Sequence, residues 1–253
     1  MQTVFRNSLA DPGVLGVSQA AGFGAALGIL LFEGSVLAIQ SFSFVAGSAA
    51  LLLALLVSRR IKNERIISLV LSGIAVSALF SAGLGVLKYL ADPIDQLPSI
   101  VFWLLGSLSN VGWGEFIQVA IIVIPVLIFF WFYRWRLNIH ALDREVAFSL
   151  GLKNHWELTV VLFTAVLMTS AVISVSGIIS WVGLIIPNLA RIIAGADSQR
   201  ALPLTMGLGA IFCIICDDLA RTLLPGEIPL GILTAFMGSM MFIILLVRKK
   251  KVI

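Results

Sequence analysis

IISLVLSGIAVSALFSAGLGVL, residues 66–87, contains no Asp, Glu, Lys or Arg and is bounded by Arg65 and Lys88. As a helix rising about 1.5 Å per residue it would be about 33 Å long, enough to cross the roughly 30 Å hydrocarbon core of a bilayer. Further charge-free runs lie at 13–32, 34–58, 96–114, 116–133, 158–190, 201–216 and 228–247. Together they cover most of the chain. Of its 253 residues 60% are apolar and 12% are charged, against about 25% charged in a soluble domain. The mean hydropathy of +1.08 agrees. A soluble enzyme is excluded, and an all-α polytopic integral membrane protein is predicted, because a helix satisfies its own backbone in lipid.

Basic residues in short loops set the direction of insertion. Arg59, Arg60, Lys62 and Arg65 follow the second run; Arg134, Arg136, Arg144 and Lys153 follow the fourth crossing; Arg191 and Arg200 flank one loop; Arg248 and Lys249 to Lys251 close the chain. Alternating crossings place these with Arg6 on one side and leave Lys88 and Arg221 opposite, a split of 15 to 2 among the 17. Eight crossings are therefore predicted, at 14–32, 36–57, 66–87, 116–132, 158–176, 178–194, 203–224 and 230–247, with both ends cytoplasmic. The run 158–190 is too long for one span, and Gly177 is the expected break. Pro98, Gly106, Gly112 and the polar stretch 107–110 make 96–114 a re-entrant or surface helix on the outer side, with Trp103 and Trp113 as interface anchors. No secretory signal peptide is visible in residues 1–12.

Gly73, Ser77, Ser81 and Gly85 recur every fourth residue, as do Gly24 and Gly28. Small residues let helices approach closely where lipid supplies no hydrophobic drive. Packing within the chain, a seam between subunits and the wall of a translocation path all use such a stripe. No phosphate loop of the form G-x-x-x-x-G-K-[ST] occurs, so the chain is not expected to hydrolyse ATP. His140 and His155 read as loop residues, and Cys213 with Cys216 as core packing without the ligands of a metal site. Asp217, Asp218 and Arg221 are the costly charges inside a crossing. They fit an ion pair along one helix, a proton relay, or an arginine that docks an acidic partner outside.

LNIHALDREVAFSLGLKN, residues 137–154, is the largest inner segment. Leu142, Val146 and Leu150 repeat at i+4 and Gly151 closes the turn, predicting a short amphipathic helix. Such a helix rests on lipid or inserts into a partner's groove. The mixed charges of Asp143, Arg144, Glu145 and Lys153 favour the groove.

Five segments in order resemble the FecCD/BtuC-like permease family of ABC importers for iron-siderophores, haem and cobalamin. RNSLADPGVLGVS at 6–18 resembles Asn-Pro-Leu-Ala-x-Pro-x-x-Leu-Gly through Asn7, Leu9, Ala10, Pro12 and Gly16, with Ser8 in place of proline. LNIHALDREVAFSLG resembles the family's inner Leu-Gly-Glu-x-x-Ala-x-x-Leu-Gly loop, with Asp143 and Arg144 replacing Gly-Glu. GIISWVGLIIPNLAR at 177–191 carries Gly183, Pro187 and Arg191, with Trp181 for Phe and Asn188 for His. GADSQRALP at 195–203 keeps Asp197 but has Ser198 where the family has histidine. Residues 217–238 match Asp-x-x-x-Arg followed by Glu-x-Pro-x-Gly-x-x-Thr-Ala-x-x-Gly through Asp217, Arg221, Pro229 and Gly231.

The resemblance implies a single permease domain over 1–253, N-terminally truncated, since the family has about two further crossings ahead of the first motif and about ten in all. It also implies a homodimer in the plasma (inner) membrane, with a cytoplasmic ABC ATPase and an extracytoplasmic substrate-binding protein as partners. No cofactor would sit on this chain; ATP would bind the ATPase. Leu142, Glu145, Ala147, Leu150 and Gly151 would couple to that ATPase, and Arg221 would meet the binding protein. The expected function is import of an iron complex, siderophore or haem, with cobalamin or molybdate as alternative cargo. Two rival readings are an ion-coupled secondary transporter using Asp217 and Asp218, and a structural or assembly role for a truncated remnant.

Overall fold

The computed structural model describes residues 1–61, 65–109, 111–142, 144–149, 155–223 and 226–249. Among these every regular element is helical: α1 (Gln2–Phe5), a 3-10 turn (Pro12–Leu15), α2 (Val17–Leu31), α3 (Val36–Ser58), α4 (Arg65–Leu90), α5 (Gln96–Leu105), α6 (Trp113–His140), α7 (Arg144–Ser149), α8 (His155–Ser176), α9 (Val182–Ala194), α10 (Ser198–Thr222) and α11 (Leu230–Lys249). Five of them, α3, α4, α6, α8 and α10, are long and apolar enough to cross a membrane, whereas α2, α5, α9 and α11 are shorter apolar helices.

Several predicted boundaries move, for local reasons. The helix of the predicted first crossing begins at Val17, because Asp11 accepts a hydrogen bond from the Val14 N–H at 3.2 Å and Pro12 starts a 3-10 turn that Gly16 ends at φ 79°. A side-chain cap followed by proline outweighs the apolar pattern there. α10 starts five residues before the predicted Pro203, because Asp197 caps it at the Gln199 N–H. α6 runs on to His140, so residues 137–140 are helix and the segment predicted as an inner loop leaves the helix only at Ala141.

The break at Gly177 occurs where expected: α8 ends at Ser176 and Gly177 has φ 67°. The helix predicted from residue 178 does not resume at once. Residues 177–181 are irregular, and α9 begins at Val182 behind Trp181, whose φ is 72°. At about 1.5 Å per residue α9 is about 20 Å long, less than a bilayer core. Its irregular lead is covered by protein: the Ser107 N–H donates to the Ser176 carbonyl at 2.8 Å, and a Cβ on Gly106 or Gly231 would lie 2.7 or 2.8 Å from the Ile178 carbonyl oxygen. Buried irregular backbone is tolerated at membrane depth when protein surrounds it.

α2 is the central element, contacting α3, α4, α5 and α8, with Val17, Ala20, Ala21, Ala25 and Ala26 buried. Leu15, Leu51, Leu69, Val161, Leu162 and Val166 complete the main core. A second cluster joins α9, α10 and α11 through Ile186, Phe212, Cys216 and Leu230. Cys216 Sγ lies 3.7 Å from Met237 Sδ, so the cysteine is core packing. Outward faces are apolar, as at Leu79 (65% exposed), Ile121 and Phe132. Surfaces of that kind belong in lipid or under a partner.

Candidate coupling and translocation sites

The motifs at 6–18 and 177–191 converge on the N-terminal segment. Asn7 folds its own turn, with its side-chain oxygen accepting from the Leu9 N–H at 2.9 Å and its carbonyl from Ala10 N–H at 3.1 Å. Ala10 is buried and Leu9 exposed. From α9, Arg191 donates to Thr3 Oγ1 at 2.9 Å and the Asn188 amide donates to the Ser8 carbonyl at 2.9 Å; Gln2 donates back to the Leu184 carbonyl at 3.2 Å. Pro187 sits inside α9, and Gly183 places its backbone beside the Asp11 side chain. Between this segment, α6, α8, α9 and α10 lies a 290 Å³ cavity whose wall includes Gln2, Thr169, Pro187, Arg191 and Thr205.

Arg6 carries the link onward by donating to the Leu142 carbonyl, immediately ahead of α7. Within this segment Ala147 is buried (8% exposed), while Leu142 (39%) and Val146 (48%) are open. The helix therefore seats on its own chain through Ala147 and offers Val146 outward, while Leu142, predicted as part of the same helix, lies exposed ahead of its start at Arg144. Glu145 lies on α7; the predicted Leu150 and Gly151 lie outside the described residues.

Two straps tie the C-terminal end of α6 to its neighbours. Arg136 of α6 makes a paired contact with Glu157 of α8, Nη2 to Oε1 at 2.7 Å and Nε to Oε2 at 2.8 Å. The Tyr133 hydroxyl donates to Glu157 at 2.8 Å, and His140 Nε2 lies 3.3 Å from that hydroxyl. His140 is thus a helical residue in a network, not a loop residue. On the other side the Asn138 amide donates to Asp197 at 2.7 Å and its oxygen accepts from the Ser198 N–H at 2.8 Å. The Gln199 N–H, first, and the Asn138 amide, second, hold the Asp197 carboxyl below the usual carboxylate range. Glu157→Ala should unpair Arg136 and lower the melting temperature in detergent by about 2–4 °C, as loss of a partly exposed ion pair worth about 1 kcal/mol implies; an unchanged melting curve would show the strap to be incidental.

The stripe on α4 divides. A Cβ on Gly73 would overlap the Val14 carbonyl, and one on Gly16 would lie 3.0 Å from the Ser77 N atom, so Gly73 and Ser77 pack within the chain. Ser81 and Gly85 are exposed, and Gly85 has nothing near the position of a Cβ. Only that half is open to a seam or a path.

At the far end of α10, Arg221 donates through Nε to Asp217 Oδ2 at 2.9 Å. The i,i+4 pair forms, and Asp218 keeps an exposed position beside it. Residues 226–229 fold back, with the Ile228 N–H donating to the Ala220 carbonyl at 3.1 Å, and the Pro229 carbonyl accepts from Ile232 as α11 begins. Gly231 packs against the Ile178 backbone.

Sequence reasoning missed Gln2, Thr3, Asn138 and the partners of Glu157. Their hydrogen bonds span long stretches of chain and leave no local periodicity.

Long apolar helices joined at glycines and apolar outer faces define a polytopic membrane protein. The profile of the FecCD transport family matches residues 1–248, and the chain belongs to that family. It is 36% identical over 251 residues to the molybdate import system permease protein MolB of Haemophilus influenzae, covering 99% of this chain and 74% of that protein. It is 36% identical over 258 residues to the hemin transport system permease protein HmuU of Yersinia pestis, covering 99% of this chain and 76% of that protein. A solved inward-facing structure of a metal-chelate type ABC transporter superposes with a TM-score of 0.92 at 35% identity, over 98% of this chain and 79% of that one. The chain is a membrane permease of the ABC-importer class.

Proposed function

We propose that this permease carries an iron complex, a siderophore or haem, into the cytoplasm through the plasma (inner) membrane. The observation that carries the coupling half of this reading is the exposed pair of Leu142, just ahead of α7, and Val146, on α7, tied through Arg6 to the segment that Arg191 and Asn188 also hold. A groove on a separate ATPase subunit would take that pair, and its motion would reach α9 along those hydrogen bonds. The eight helices α2, α3, α4, α6, α8, α9, α10 and α11 would all cross, both ends inside, with α2 and α9 completed by their irregular flanks. Two copies would face each other across the open half of α4, Ser81 and Gly85. Arg221, oriented by Asp217, would present its remaining donors to an acidic residue of an extracytoplasmic binding protein, steering docking more than adding affinity.

The Asp217 carboxylate accepts from Arg221, a geometry that favours the docking role over a proton relay. A molybdate cargo is the second reading, favoured by the 36% identity to a molybdate permease across nearly the whole chain. Liposomes containing the chain as its organism makes it, with its ATPase and binding protein, should accumulate a ferric chelate only with ATP, and an uncoupler should not stop them. Accumulation of molybdate alone selects the second cargo. Uptake without the ATPase overturns the reading.

A further inference from the structure

The described structure holds a basic cavity that none of these roles uses. It opens between the inner ends of α3, α4 and α8, has a volume of 430 Å³, and its wall includes Ser58, Arg59, Arg65, Ser68, Trp156 and Thr159. Two guanidinium groups line it, and among the described residues no carboxylate does. Arg65 spends one N–H on Thr159 Oγ1 at 2.8 Å, which fixes the guanidinium in the wall. The Ser58 hydroxyl is committed to the Leu55 carbonyl at 2.9 Å. Ser68 differs. It is 1% exposed, and its Oγ has no hydrogen-bond partner among the described residues. An unpartnered buried hydroxyl is costly unless an acceptor comes to it. The rim is Trp156, 69% exposed, an aromatic suited to the interface between lipid and water.

We propose that this cavity binds a tetrahedral oxyanion, with Arg59 and Arg65 as charged donors and the Ser68 hydroxyl as the buried neutral one. The chemistry has two sources: the phosphate of an anionic phospholipid in the inner leaflet, or a free oxyanion in the cytoplasm. Fixed guanidinium donors suit either, because they match the geometry of phosphate-like oxygens. Basic pockets between helices at the cytoplasmic face suit the headgroup. The site stands on its own residues and does not depend on which cargo is carried.

The purified transporter in detergent tests it by melting temperature and by equilibrium binding. Inorganic phosphate, molybdate and short-chain phosphatidylglycerol are titrated separately at matched ionic strength, with sodium chloride and short-chain phosphatidylcholine as controls. At least one of the three anionic ligands should stabilise the protein saturably. Arg65→Gln and Ser68→Ala should each weaken that ligand roughly ten- to hundredfold, the scale of a lost hydrogen bond to a charged group. Arg59→Gln, at an exposed position, covers the case in which a wall substitution misfolds. Response to phosphatidylglycerol alone assigns the lipid source, and response to phosphate or molybdate assigns the free anion. No response in the wild type, equal response to the controls, or unaltered affinity in all folded variants overturns the proposal.

Discussion

Val146→Asp should leave the permease folded and reduce ATP-driven uptake by about a hundredfold or more. Val146 is open on α7, and the helix is seated by Ala147 on its other side, so the substitution disturbs little of the chain's own packing. Burying a valine in a groove is worth about 1.5–3 kcal/mol, and a carboxylate forced there adds a desolvation cost of several kcal/mol. Both act on the contact through which force would enter. The measurement is uptake and cargo-stimulated ATP hydrolysis by the reconstituted complex, with Val146→Ile as the control that keeps the apolar surface. Uptake by Val146→Asp at the wild-type rate would remove α7 as the coupling element. If the variant no longer assembles with the ATPase while melting normally, the contact is located directly.

The parts of this arrangement differ in how openly the sequence displays them. Charge-free runs exposed the long helices, because lipid imposes one requirement on every residue of a span. Gly177 marked the break in 158–190, since only glycine enters its left-handed backbone without strain, and the i,i+4 spacing of Asp217 and Arg221 sufficed for their pair. The i+4 pattern of Leu142 and Val146 pointed to the segment of α7, although the helix itself starts only at Arg144. By contrast, the extension of α6 to His140 depends on Glu157, a residue of the next long helix, and the delayed start of α9 depends on Gly106 and Gly231 packing against Ile178. Asn188 departs from the family's histidine, yet in this fold its amide joins α9 to the N-terminal turn. The α4 stripe showed a repeat in the sequence, but only tertiary placement divides it into a packed half at Gly73 and Ser77 and an open half at Ser81 and Gly85.

Gly24→Leu should be the most destructive single change, acting on the fold and not on coupling. A Cβ at Gly24 would overlap the Phe42 carbonyl and come within 2.8 Å of the Ala46 Cβ; one turn on, a Cβ at Gly28 would lie 2.8 Å from the Ile39 Cα. α2 and α3 therefore meet backbone to backbone, and backbone cannot swing aside as a side chain can. Between membrane helices such close approach is the main source of association, because lipid is as apolar as the side chains it would replace. Separating the pair also lifts α2 off α4, α5 and α8, since it packs against all three. Ordinary overpacking costs about 1–3 kcal/mol, and a clash with main-chain atoms at a central helix should exceed that, lowering the melting temperature in detergent by about 10 °C or more. Gly24→Ala should fall between this variant and the wild type. Gly85→Leu, where no atom lies near the position of a Cβ, should leave the melting of a single chain unchanged. Size-exclusion profiles and thermal melts of the three variants decide the matter: if Gly24→Leu and Gly85→Leu melt alike, the α2–α3 glycine contact does not hold this bundle together.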